Sequence, residues 1–149
     1  MPTTARADYN ADFYAWCMEQ AKFLANGEFD NLDLENLKDE IESMGKRDFR
    51  ELKNRFAVLI CHLLKWRFQS ELQGKSWKLT IGEQRREIKH LLRESPSMRP
   101  KLQENFSDFW KYGVEKAQQE SGLLDFPNSP IWTIDDILAD DFYPEQDAM

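Results

Sequence analysis

The stretch Asn31-Leu-Asp-Leu-Glu-Asn-Leu-Lys-Asp-Glu-Ile-Glu-Ser-Met-Gly45, followed at once by a basic amphipathic run from Lys46 to about Trp66, decides the fold. Asp33 is placed to cap a helix, with Leu32 just before it and Leu37 four residues inside, the arrangement of a hydrophobic staple. Asp33 and Glu35 also favour the positive end of the helix dipole. Gly45 reads as a left-handed C-terminal cap or a break. Beyond it, Phe49, Leu52, Phe56, Leu59, Ile60, Leu63 and Leu64 form a broad apolar stripe, while Arg47, Arg50, Lys53 and Arg55 point elsewhere. This second helix would be about 30 Å long, enough to act as a spine for a domain of this size.

Helical periodicity continues on both sides. Phe13, Trp16, Cys17, Gln20, Phe23 and Leu24 recur at three-to-four spacing before Asn26-Gly27, which predicts a helix from Asp12 to about Asn26 with this stripe in the core. Thr80-Ile-Gly-Glu83 has capping-box spacing and opens a helix that turns Ile81, Ile88, Leu91 and Leu92 inward and closes at Ser95-Pro96. Ser76 to Leu79 reads as turn or extended linker. Pro100 suits the first turn of a helix carrying Leu102, Phe106, Phe109, Trp110, Gly113, Val114 and Ala117 and ending at Gly122. A second capping pattern, Thr133-Ile-Asp-Asp136, leads into Ile137 and Leu138 and predicts a short terminal helix lying over the others as a latch.

The fold class expected is therefore all-α: one helical bundle of about five helices with a short C-terminal latch helix, occupying residues 1–149, with 1–7 and 145–149 as flexible tails. The 149 residues fit one domain, and ten Phe, five Trp and four Tyr supply a core despite abundant surface charge. No run approaches the roughly 18 apolar residues of a membrane span, and the first thirty residues lack a signal-peptide hydrophobic region. A cytoplasmic protein with no membrane contact is expected. Cys17 and Cys61 each sit in an apolar helical pattern and read as buried thiols, not as a disulfide or zinc framework.

The formal charge of -7 hides a segregation. Residues 1–45 carry -7, residues 46–93 carry +8 and residues 94–149 carry -8. Acidic outer segments packing against a basic centre would satisfy this inside one small domain. The competing reading is a basic face presented to nucleic acid or to an acidic protein.

Several motifs together carry a family resemblance: Tyr9-Asn-Ala-Asp-Phe-Tyr-Ala-Trp16, Phe29-Asp-Asn-Leu-Asp-Leu-Glu-Asn-Leu37, Glu40-Ile-Glu-Ser-Met-Gly45, His62-Leu-Leu-Lys-Trp66, Ser76-Trp77, Gln84-Arg85-Arg86 and Ser95-Pro96-Ser97. From about residue 8 to Pro144 the chain resembles the bacterial domain of unknown function 29 family, widespread in cyanobacteria. The resemblance implies an all-helical domain and carries over no activity and no catalytic residue. Two positions depart from the family pattern: Ser70 stands where proline is common, and Gly82 where helix-favouring polar residues are usual.

The chain offers little catalytic chemistry. A di-metal site in a helical bundle needs two Glu-x-x-His motifs, and only Glu87-Ile-Lys-His90 is present. Cys61 and His62 are adjacent in sequence, so they point about 100° apart on a helix, and there is no Gly-x-Ser-x-Gly elbow or glycine-rich phosphate cradle. A spatial pairing of Cys17 with His62 is weaker than the reading of two core thiols. No catalytic residue, cofactor or metal is expected.

Two surfaces remain as candidates. Lys65, Trp66, Arg67 and Phe68, then Lys75, Trp77 and Lys78, with Arg85 and Arg86 beyond, interleave aromatics and cations as in single-strand-binding surfaces. Glu35, Asp39 and Glu42 share one acidic helix face, read first as a solvated face complementing the basic helix. The resulting expectation is a non-catalytic helical protein-interaction module, self-associating or bound to another protein. The alternative is a nucleic-acid-associated accessory protein using residues 46–93, and an enzyme or metal-binding bundle is the distant option.

Overall fold

A computed structural model describes residues 6–145. The expected tails at 1–7 and 145–149 lie mostly outside these residues. Six α-helices and no strand occur among the described residues, so the fold is all-α: α1 (Phe13–Ala25), α2 (Leu34–Phe68), α3 (Lys75–Glu94), α4 (Met98–Glu104), α5 (Phe106–Ser121) and α6 (Ile134–Leu138). Short 3-10 turns, Phe29–Asn31 and Ser70–Leu72, precede α2 and α3. The chain divides into two compact units at Arg47/Asp48, a boundary inside α2.

The first unit is a helical hairpin held by polar contacts. Asp12 caps α1 by accepting from Ala15 N, and Asn26 and Gly27, the latter at φ 70, end it. Asp33 does several things at once. Its carboxylate accepts from Asn36 N at 3.4 Å, Asn36 Nδ2 at 2.8 Å and Trp16 Nε1 at 2.9 Å, while its own N–H donates to Gln20 Oε1 at 2.8 Å. The Asn36 hydrogen bond, with help from Trp16 and against the opposing effect of burial, holds the Asp33 carboxyl below its usual range. Tyr9 O–H donates to Glu40, and its ring edges onto Phe13 and Trp16.

The second unit holds the main core. Leu52, Phe56, Leu59, Ile60, Leu63 and Leu64 of α2 meet Ile81, Ile88 and Leu92 of α3, Leu102 of α4, and Phe109, Trp110 and Val114 of α5. Each fully buried side chain of this kind contributes about 1.5–3 kcal/mol. Gly113 lets α5 approach α2 closely: a methyl group there would stand 2.6 Å from Ile60 Cγ2. The segment after Gly122 returns over the bundle. Trp110 Nε1 donates to Pro127 O at 2.8 Å, and Trp132 makes edge contacts with Trp110 and Phe142. Thr133 and Asp136 form the expected capping box at the start of α6.

Five local expectations are corrected. Gly45 neither caps nor breaks α2; glycine ends a helix readily only by turning to positive φ, and among the described glycines only Gly27 and Gly122 do so. Thr80-Ile-Gly-Glu83 lies inside α3, which begins at Lys75 behind an extended Gly74. Ser76 to Leu79 is therefore helical, because Trp77 extends the inward stripe of Ile81 by one turn and Lys78 N–H closes on Gly74 O. The helix expected from Pro100 to Gly122 is split at Asn105, whose side-chain amide takes the Lys101 carbonyl at 2.8 Å. Finally, the α1 stripe is core only at Trp16 and Gln20; Phe13 and Leu24 are about half exposed.

Candidate functional site

The cation-aromatic segment at the α2–α3 connection does not form one open platform. Lys65 is buried on α2, and its Nζ donates to Glu120 Oε1 of α5 at 2.8 Å while lying 4.9 Å from the centre of the Trp77 ring. The other Glu120 oxygen accepts from the Cys61 thiol at 3.6 Å. Burial, reinforced by the nearby Glu120 charge, pushes the Cys61 thiol up to about 12, which disfavours the thiolate form. Burial also raises the Glu120 carboxyl, but the Lys65 hydrogen bond and charge outweigh it, and the group lies below its usual range.

His62 belongs to the same cluster. Its Nδ1 is 2.8 Å from Val58 O, a carbonyl that can only accept, and its ring meets the edge of Trp77. Burial, with the Lys65 charge, lowers its pKa from 6.5. Thus Cys61, His62, Lys65 and Glu120 are together, and Cys61 Sγ, His62 Nδ1, Lys65 Nζ and both Glu120 oxygens engage neighbours within the unit.

The rest of the predicted basic surface is divided in the same way. Trp66 packs on Tyr143, with ring centres 4.9 Å apart, and Lys78 Nζ lies 5.4 Å from the centre of that ring. Arg67 Cζ stands 5.2 Å from the Phe68 ring centre. Arg85 is only 1% exposed, and its guanidinium donates to the main-chain carbonyls of Ile137, Asp140 and Phe142. This tie fastens the C-terminal segment to α3. Lys75 and Arg86 are exposed.

On the acidic face, Glu35, Asp39 and Glu42 are all exposed, and Glu42 pairs with Lys38 at 3.5 Å. Among the described residues no three His, Cys, Asp or Glu side chains converge as a metal site. Glu87 is partly buried on α3, and His90 is exposed with its Nε2 4.0 Å from Glu94. No helix of the described residues is long and apolar enough to cross a membrane.

The family described as Domain of unknown function DUF29 matches residues 9–143. The chain belongs to the DUF29 family. No curated protein and no solved structure matches it. The DUF29 match runs through both compact units.

Two features of this DUF29 chain go beyond the surfaces expected from the sequence, although Arg86 belongs to the expected basic one. On α1, Phe13, Tyr14, Met18 and Leu24 are 48–75% exposed, and with Cys17, Ala21 and Ala25 they occupy an arc of about 140° without a charged residue. The signal was present: Glu19 and Lys22 are the sole charged residues of α1, and both lie outside this arc. On α3, Arg86, Lys89 and Arg93 recur at three-to-four spacing and face a groove bordered by the C-terminal segment.

Proposed function

We propose that the protein is a non-catalytic helical interaction module that self-associates through the uncovered face of α1. The observation that carries this reading is the exposed, uncharged arc of Phe13, Tyr14, Met18 and Leu24. A helix apolar on nearly all sides is normally covered, and a unit of fewer than about 50 residues seldom holds enough core by itself. Trp16 is the only large apolar side chain of the first unit buried among the described residues. Phe29, Leu34, Ile41 and Met44 of the same unit are exposed as well.

A second copy fits this face better than a charged partner does. The chain carries a net charge of -7, which opposes close approach of two molecules, and contact through an uncharged stripe brings the fewest like charges together. The bacterial, cyanobacterial setting and the cytoplasmic location belong to the same reading, supported by two unpaired cysteines that suit a reducing compartment. The nucleic-acid alternative has less to stand on, because Lys65 and Arg85 are engaged internally. Sedimentation velocity across a concentration series tests the proposal. Wild type is expected to dimerise and a Tyr14→Glu, Met18→Glu variant to remain monomeric with unchanged helicity; a wild type that is monomeric throughout refutes it.

A further inference from the structure

The groove along α3 is independent of the α1 face. Its two adjoining parts, of about 440 and 380 Å3, share Lys89 and Arg93 as lining residues. One end is cationic: Arg85, Arg86, Lys89 and Arg93 stand against the single carboxylate of Asp140. The other has an apolar floor of Leu92, Pro96, Leu138 and Ala139, beside the 2.7 Å Arg99–Asp135 ion pair.

The charges are not equally committed. Asp140 is already paired with Lys89 at 2.7 Å, and Arg85 donates to three main-chain carbonyls and lies 5.2 Å from the Tyr143 ring centre. Arg86 and Arg93 have neither a hydrogen bond nor an ion pair among the described residues, and both are exposed. They lie two turns apart on α3, about 10 Å along its axis, with Lys89 between them. Like charges three and four residues apart on a helix, as in Arg86/Lys89 and Lys89/Arg93, repel one another, and a bound anion removes that repulsion. Gly82 adds room at the cationic end, since a Cβ there would meet nothing within 4 Å.

We infer that this groove binds a small organic phosphate, its phosphate held between Arg86 and Arg93 and its apolar or planar body lying over Leu92, Pro96 and Leu138. Guanidinium groups are suited to this because they meet phosphate oxygens in paired hydrogen bonds, while the apolar floor rewards a ligand with a body over a bare ion. Nucleotide monophosphates have this chemistry and a fitting size.

Titration calorimetry of the full chain with AMP, adenosine, inorganic phosphate and a single-stranded oligonucleotide provides the test. AMP is expected to bind with a dissociation constant of about 1 mM or tighter, and adenosine and inorganic phosphate at least about tenfold more weakly. An Arg86→Glu, Arg93→Glu variant should lose at least about tenfold in AMP affinity with its melting temperature kept. Gly82→Glu, which puts a carboxylate into open space, should do the same and guards against a folding defect in the double variant. Undetectable AMP binding, equal affinity for adenosine, or equal affinity in both variants overturns the inference. Oligonucleotide binding much tighter than AMP and falling steeply with salt also overturns it, in favour of a nucleic-acid groove. Neither variant touches α1, so the oligomeric state reports separately on the proposed self-association.

Discussion

Lys65 Nζ lies 2.8 Å from Glu120 Oε1, and the two side chains are 8% and 48% exposed. The ammonium of α2 is thus enclosed, while its counter-ion on α5 remains half in water. Removing the carboxylate strands a buried charge; removing the ammonium does not. Glu120→Gln is therefore expected to cost about 1–3 kcal/mol, below the 3–5 kcal/mol typical of fully buried pairs because water screens the exposed half of Glu120. Lys65→Met should cost less than Glu120→Gln, and the double variant should be close to Lys65→Met alone. Chemical denaturation of the three variants measures this, and a Lys65→Met loss larger than that of Glu120→Gln would refute it.

How far the sequence could reach is visible in the same pair. The inward stripe from Leu52 to Leu64 and the capping box at Thr133 are local periodic features, so they could be read directly. Lys65 stands just beyond that stripe and read as an exposed cation, because its partner is 55 residues away and helix packing order is not written in periodicity. Arg85 reads as part of a basic surface for the same reason; its three carbonyl partners come from a segment more than 50 residues later. The limits of α2 and α3 are obscured where a local signal competes with a longer pattern, at Gly45 and at Thr80. The α1 face was misassigned because spacing identifies an apolar face but not what covers it.

Glycines in two helices should respond oppositely to one substitution. At Gly113 a Cβ would meet Ile60 Cγ2 at 2.6 Å, Ile60 Cβ at 2.7 Å and Ala57 O at 3.3 Å, and both neighbouring residues are fully buried. Gly113→Ala is expected to destabilise by about 1–3 kcal/mol through overpacking, exceeding its gain in helix propensity. At Gly45, within α2 and exposed, a Cβ would meet nothing within 4 Å. Gly45→Ala should stabilise by about 0.5–1 kcal/mol, chiefly by restricting the unfolded chain and favouring the helix. Thermal melts of the two variants, compared with wild type, are expected to shift in opposite directions; a gain at Gly113 would contradict the close α2–α5 contact.

The pH dependence of stability should have an acid limb in two stages and an alkaline limb. His62, lowered from 6.5 by burial and by Lys65, takes up a proton more readily when unfolded, so its contribution is full above 6.5 and is lost as pH falls below it. Glu120, lowered from 4.5, and Asp33 and Asp140, lowered from 3.8, are held ionised by Lys65, Asn36 and Lys89 respectively. Their contributions are present above those values and disappear as pH falls through the lower folded ones. The opposite sign applies to Cys61 and Tyr9. Burial raises Cys61 from 9.0 to about 12, and the hydrogen bond to Glu40 raises Tyr9 from 10.0 to about 12, so both favour the folded state at neutral pH and withdraw that support as pH rises through this range. The melting temperature should therefore be flat from about pH 7 to 8.5, decline gently below 6.5 and steeply below 4.5, and decline again above 9. His62→Gln should abolish the gentle decline and leave the steep one, whereas the same profile in wild type and variant would remove His62 as its source.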